Sequence, residues 1–168
     1  MLGGPQPFIR SSNSISLEEA RSKFFKNYTK GSLSQELSKA GLKIHKSPSD
    51  GNCQYHSLAD QLNKIKLWGQ FDHISIRKII MAHIYSNYEF FGPFLEETAL
   101  KKLKMGTWGG NVDLVACADC FNIKIVVVSS SGPEQILPRH NDSNMTKETI
   151  YLAFTRELHY DSTCNYST

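Results

Sequence analysis

No apolar run in the 168 residues approaches the ~20 that a membrane-spanning helix requires. The start, Met1 to Pro7, has neither the charged beginning nor the apolar stretch of a secretory signal. Cysteine is sparse, with four in the chain. That is too few for a disulfide scaffold, so a reducing compartment is expected: the cytoplasm, or the host cytosol for a pathogen protein. Charge of one sign is scarce too. Lys and Arg number 19 against 16 Asp and Glu, a net of +3. The lysines are scattered rather than gathered on the single basic face that nucleic-acid binding needs. There are no internal repeats and no low-complexity segments. Gly109-Gly110 lacks the Lys-Ser/Thr ending of a phosphate loop. Cys117-x-x-Cys120 has metal-like spacing, but it falls in an apolar helix with no second ligand pair. Both cysteines read as core, and Cys164 as incidental.

What is present suits one domain with one core. Hydrophobic residues make up 40% and aromatics 11%, ordinary for a globular protein. Residues 1–15, rich in Pro, Gly, Ser and Asn, read as a flexible arm, and 16–168 as a single domain. Ser16-Leu17-Glu18-Glu19 matches a capping box and predicts a helix to about Tyr28. A second helix starts near Ser32 and stops at Gly41. Leu42 to His45 is a short strand or an extended lead-in. Further helices are expected from Cys53 to about Ile65, over 72–88, over 96–105, and from Asn111, a candidate cap, to about Phe121. Gly92 and Pro93 exclude regular helix over Phe90 to Leu95. Ile123 to Val128 is the clearest strand. Its β-branched end predicts burial on both faces and a central position. Gln135 to Leu137, Ile150 to Phe154 and Leu158 to Ser162 follow as strands. Helices first and strands last predict an α+β or α/β layered domain.

The chemistry centres on Pro48-Ser49-Asp50-Gly51-Asn52-Cys53. A tight polar turn delivers one cysteine to a helix N-terminus. The unpaired N–H groups and the positive dipole end there favour a thiolate, and the same N–H groups can hold an oxyanion. The competing reading is a small buried cysteine at a helix start. The partner comes far along the chain, in His159-Tyr160-Asp161. On an extended segment, positions i and i+2 face one way, so Asp161 can orient His159. His159 can then serve Cys53 as base. His56 is a rival base, but a helix neighbour is poorly aimed back at the N-terminus. His83 reads as structural. His45, His73 and His140 have no evident partner, nor do the carboxylates of Glu18, Glu19, Glu96, Glu97 and Asp60.

Three blocks resemble the OTU (ovarian tumour) family of cysteine deubiquitinases. They are Asp50-Gly51-Asn52-Cys53 with Ser57-Leu58, Trp108-Gly109-Gly110-Asn111-Val112-Asp113-Leu114 with the strand after it, and Leu158-His159-Tyr160-Asp161-Ser162. Their order and spacing match over about residues 43–164. The resemblance implies a papain-like site on a small sheet between helical layers. It implies a thiol-dependent isopeptidase acting on ubiquitin chains or conjugates as a monomer, without metal or cofactor and away from nucleic acid and membrane. Cys53 matches the nucleophile and His159 the base. Asp161 and Asp50 both match acids of the family's site, with Asp161 favoured as the histidine's partner. Gly51, Asn52 and Cys53 match the oxyanion-binding backbone. Trp108, Gly109 and Gly110 would line the channel for the ubiquitin tail. Phe90, Phe91, Phe94 and Leu95 form a candidate ubiquitin-facing patch, with core packing as the alternative. The rival functions are a non-catalytic ubiquitin-binding module and a cysteine protease for another modifier or a polyprotein.

Overall fold

The computed structural model describes residues 32–65, 69–95, 109–140, 148–155 and 158–166. The arm, the helix expected to Tyr28, the helix expected over 96–105, and Trp108 lie outside them. In chain order the elements are α1 (Ser32–Lys39), β1 (Leu42–His45), α2 (Cys53–Ile65), α3 (His73–Ser86), α4 (Tyr88–Phe91), a 3₁₀ turn (Gly92–Phe94), α5 (Asn111–Phe121), β2 (Lys124–Ser129), β3 (Gly132–Ile136), β4 (Thr149–Thr155) and β5 (His159–Asn165).

The strands form one five-stranded sheet in the order β1-β5-β4-β2-β3. β2 and β4 run parallel, and the remaining neighbours are antiparallel. β2 is an interior strand because both of its faces are apolar. Ile125 and Val127 pack with Leu58, Leu62, Ile76, Ile80 and Leu114 of α2, α3 and α5. Val126 and Val128 pack on the opposite side with Leu33 and Leu37 of α1. β4 alternates in the same way, with Ile150, Leu152 and Phe154 toward the three-helix side and Ala153 toward α1. The result is an α+β layered domain with a large core on one face of the sheet and a small one on the other. β3 begins earlier than expected, at Gly132, because Pro133 lies on an edge strand where its missing N–H is tolerated.

Local chemistry explains most boundaries. α1 ends before Gly41, whose φ of +71° is open to glycine. α3 starts one residue later than expected because Asp72 is its cap. Asp72 Oδ1 accepts from the Ser75 N–H at 2.7 Å, and the Asp72 N–H donates to Ser75 Oγ at 3.0 Å. α5 is capped by Gly110 rather than Asn111, which is the first helical residue. The side chain that serves this end is Asp113, whose Oδ2 accepts the Gly110 N–H at 2.7 Å. Contrary to expectation, Phe90 and Phe91 lie in a single α-helical turn, because Gly92 and Pro93 end regular helix only after them, in a 3₁₀ turn.

A polar knot joins α3, α5 and the segment after β3. Asp119 on α5 accepts from His83 at 2.6 Å and from Arg139 Nη2 at 2.7 Å. The Arg139 guanidinium lies over the rings of Phe90 and Phe91, 4.4 and 5.0 Å from their centroids. His83 is therefore structural. Burial pushes the Asp119 carboxyl up, but the hydrogen bonds from Arg139 and His83 outweigh it and hold it below the usual carboxylate range. A depressed native value stabilises the fold above the unfolded value of ~3.9, and that stability is lost as pH falls through the native value. Asp119→Asn should therefore lower stability above about pH 5, and the gap to wild type should close on acidification; urea unfolding at several pH values checks this. Leu58 is fully buried, so Leu58→Ala should cost about 3 kcal/mol in the same assay.

Candidate active site

Cys53 occupies the first position of α2. The Asn52 carbonyl accepts the first helical bond, from the His56 N–H at 2.9 Å. The preceding turn is held by its own side chains. Asp50 Oδ1 accepts the Asn52 N–H at 3.0 Å, and Gly51 sits at φ +81°, where a side chain would be strained. The Asn52 side chain points inward, and its Oδ1 accepts from Arg77 Nη2 of α3 at 2.7 Å. Behind the turn, the hydroxyls of Ser47 and Ser57 meet at 2.8 Å, and Ser57 Oγ donates to the Cys53 carbonyl at 2.7 Å.

The Cys53 thiol is half-buried and faces β5. Burial pushes it up. The backbone N–H groups of Tyr160 and Gln54 pull it down, and the carboxylates of Asp161 and Asp50 push it up again. The net direction is above the ordinary thiol value. This corrects the expectation that the helix start favours the thiolate. Desolvation and two nearby carboxylates outweigh the N–H groups.

A histidine paired with a carboxylate lies on β5. The strand is entered through Leu158, which adopts φ +58° after its N–H bonds the Thr155 carbonyl at 3.0 Å. His159 Nε2 then meets Asp161 Oδ1 at 2.9 Å, as the i, i+2 spacing predicts. Asp161 is buried, and the same oxygen accepts the Ser47 N–H at 2.8 Å. The contact at Nε2 leaves the ring's Nδ1 as its other polar atom. Tyr160, the residue between the pair, supplies an N–H to the Cys53 sulfur. α2 thus sets the Cys53 thiol against Tyr160 of β5, the residue between the hydrogen-bonded His159 and Asp161.

Asp50 is engaged elsewhere. Its Oδ2 meets His56 Nε2 at 3.1 Å, so His159 is paired with Asp161 in this structure. His56 does reach back past the helix start, contrary to expectation, because its long side chain passes beside the turn to Asp50. His73 is not partnerless either, as its ring lies 4.0 Å from that of His56. His45 and Asp60 form a pair at 3.4 Å, and Asp60 also holds Lys64 at 2.8 Å and the Ser162 hydroxyl.

The glycine turn packs against the cysteine helix. Gln54 Nε2 donates to the Gly110 carbonyl at 3.2 Å, and its amide also bonds the Tyr160 hydroxyl. A Cβ on Gly109 would lie 1.9 Å from Gln54 Oε1, so the small residue is required on the inner side, by Gln54. Phe91 is fully buried under Arg139 and is a core residue, not a surface for a partner. Phe90 and Phe94 are exposed. Cys117 is buried and Cys120 packs partly against the core. Among the described residues, no group of three His, Cys, Asp or Glu is placed to hold a metal.

Several side chains around the site escaped the sequence reading. Arg77 carried a signal, since a charge interrupts the apolar stripe Ile76-Ile80-Ile84 and stands on one with Met81 and Ile84. Asp113 carried another, as an acid in the first turn of an apolar helix. Ser47, Tyr55 and Gln54 carried none, because their partners are remote in sequence.

Comparison with known proteins agrees with this geometry. The family model "OTU-like cysteine protease" matches residues 48–163. The ovarian tumor domain-containing deubiquitinating enzyme 10 of Arabidopsis thaliana is 36% identical over 124 residues, 70% of this chain and 33% of that protein. The chain therefore spans about a third of that curated relative. The structure of the OTUD1 OTU domain superposes with a TM-score of 0.67 at 17% identity, over 88% of this chain and 100% of that one. An OTU domain in complex with ubiquitin superposes at 0.60 and 22% identity, over 76% of this chain and 72% of that one. The likeness of these two structures is one of fold. With a cysteine at the head of α2, a His–Asp pair on β5 and a family match across both, the chain belongs to the OTU-like cysteine protease family.

Proposed function

We propose that the protein is a deubiquitinase that hydrolyses isopeptide bonds at the C-terminal glycine of ubiquitin through a Cys53 thioester. The observation that carries this reading is that the Cys53 thiol lies against the N–H of Tyr160, the residue between the hydrogen-bonded His159 and Asp161 on β5. Membership of the family, with named deubiquitinating relatives and a ubiquitin-bound structural neighbour, directs the substrate toward ubiquitin.

In the proposed cycle His159 removes the Cys53 proton, and the sulfur attacks the glycine carbonyl. The imidazolium is stabilised by Asp161 and passes its proton to the departing lysine amine. Water, deprotonated by His159, then opens the thioester. The backbone N–H groups of Gly51, Asn52 and Cys53 form the oxyanion site. The Asn52 N–H is held by Asp50 at rest, so it becomes available once Asp50 yields it. Gly109 and Gly110 flank the channel for the substrate tail, and Phe90 and Phe94 are exposed apolar side chains that ubiquitin could contact away from the chemistry. Asp50 orders the cysteine turn, and Asp161 orients the base. The four thiols are free, which suits a reducing compartment such as the cytoplasm.

Ubiquitin bearing a C-terminal electrophile should form a one-to-one adduct with the wild type and none with Cys53→Ala, read by intact mass. No adduct on a wild type whose Cys53 still reacts with iodoacetamide would sink the ubiquitin assignment. In turnover of a ubiquitin C-terminal aminocoumarin amide, His159→Ala and Asp161→Ala should each lose roughly 10²–10⁴ in rate, and Asp50→Ala clearly less. Equal losses for the two aspartates would remove the distinction between their roles, and a larger loss for Asp50→Ala would reverse it.

The raised thiol value has its own consequence. In His159→Ala, iodoacetamide labelling of Cys53 should keep rising with pH, without a plateau below about pH 8.5. A plateau near neutrality would mean that the helix start holds the thiolate unaided.

A further inference from the structure

Arg77 is among the largest fully buried side chains of the protein. Taking a guanidinium out of water is costly, and an apolar residue of similar volume serves packing alone as well or better. The placement of this charge therefore calls for a reason beyond filling space. Its Nη2 donates to Asn52 Oδ1 at 2.7 Å, and its planar head lies 3.9 Å from the centroid of the Tyr55 ring, a stacked cation–π geometry. The Tyr55 hydroxyl donates to Asp113 Oδ1 at 2.8 Å, and Asp113 Oδ2 accepts the Gly110 N–H at 2.7 Å. Gln54 closes the circuit from the cysteine helix to the Gly110 carbonyl.

Both walls of the proposed channel are thus tied to one buried polar bridge. On one side is the cysteine turn, gripped through the Asn52 side chain. On the other is the glycine turn, gripped through both polar groups of Gly110. Asn52 is held at its amide oxygen by Arg77 from inside, at its N–H by Asp50 from outside and at its carbonyl by the His56 N–H. When Asp50 yields the N–H to an oxyanion, the Arg77 contact still holds the side chain of that residue. The guanidinium also stands one amide group behind the turn, with the sign that favours developing negative charge there.

We infer that Arg77 is a positioning residue for the reaction, acting through Asn52 to hold the oxyanion-binding turn and through Tyr55 and Asp113 to keep it in register with Gly110. The inference rests on the proposed Cys53 chemistry. Arg77 touches no reacting atom. Its loss should therefore slow turnover while leaving the grip on ubiquitin intact, and its effect should vanish when Asn52 can no longer transmit it.

The test is a cycle of Arg77→Met, Asn52→Ala and the double variant. Each is assayed for kcat and KM on the ubiquitin aminocoumarin amide and for ubiquitin affinity in a Cys53→Ala background. Each single variant should lose at least tenfold in kcat, with KM and affinity within about twofold, and the double variant should be no slower than the worse single. Arg77→Lys should recover part of the loss, since it keeps the charge without the planar fork. If Arg77→Met does not melt cooperatively, the same cycle is run with Arg77→Lys, where at least threefold in kcat is expected. Multiplicative losses in the double variant, or an unchanged kcat in any folded Arg77 variant, would overturn the inference while leaving the Cys53 reading in place. A wild type that turns over no ubiquitin substrate would remove both.

Discussion

The hydrogen bond between His159 and Asp161 is the contact on which the site depends. A raised Cys53 thiol is of little use at neutral pH without a base, and a histidine near a strand entrance is of little use as a base unless its ring is held. Asp161 holds it at 2.9 Å and is itself anchored by the Ser47 N–H at 2.8 Å. Because Asp161 lies inside the sheet, opposite Ala153 of β4, this arrangement inherits the rigidity of the strand. The sheet in turn is rigid because β2 and β4 are covered on both faces.

The helix that carries Cys53 is fixed to the same strand by polar contacts as well as by packing. Gln61, about two turns beyond the cysteine, donates to Ser162 Oγ at 2.9 Å and to the Thr163 carbonyl at 2.8 Å, and its own carbonyl accepts from the Tyr151 N–H. A buried amide that reaches two neighbouring strands sets the height of α2 along β5 with a specificity that leucines alone do not supply. The position of Cys53 against Tyr160 follows from that register. The turn before Cys53 is the softer part: its peptide groups are steered by side chains from Asp50 and Asn52 rather than by ladder bonds.

Much of the layout was legible from particular residues. The doubled apolar pattern of Ile123 to Val128 announced an interior strand, and the 3.6 period from Ile76 to Ile84 announced α3. The turn formers before Cys53 placed it at a helix start, and the i, i+2 spacing of His159 and Asp161 put them on one side. Errors arose where two local signals competed or where a partner was remote. Asn111 is a good cap by type, but Gly110 with Asp113 does that work. Phe91 belongs to an apolar cluster that reads equally as surface or core, and Arg139, distant in sequence, covers it. His56, read as poorly aimed back at the helix N-terminus, reaches Asp50 because the turn brings that carboxylate back beside the helix.

The sequence by itself determined the periodicities, the turn at Asp50-Gly51-Asn52 and the placing of His159 and Asp161 on one side of a strand, because each depends on residues within a few positions of one another. Only the tertiary structure decided which carboxylate serves the histidine, that the Cys53 thiol is raised rather than lowered, and that Arg77 and Asp113 link the two turns around the site. Those outcomes depend on burial and on charges brought together from α2, α3, α5 and β5. Neither burial nor such long-range proximity is written in local spacing.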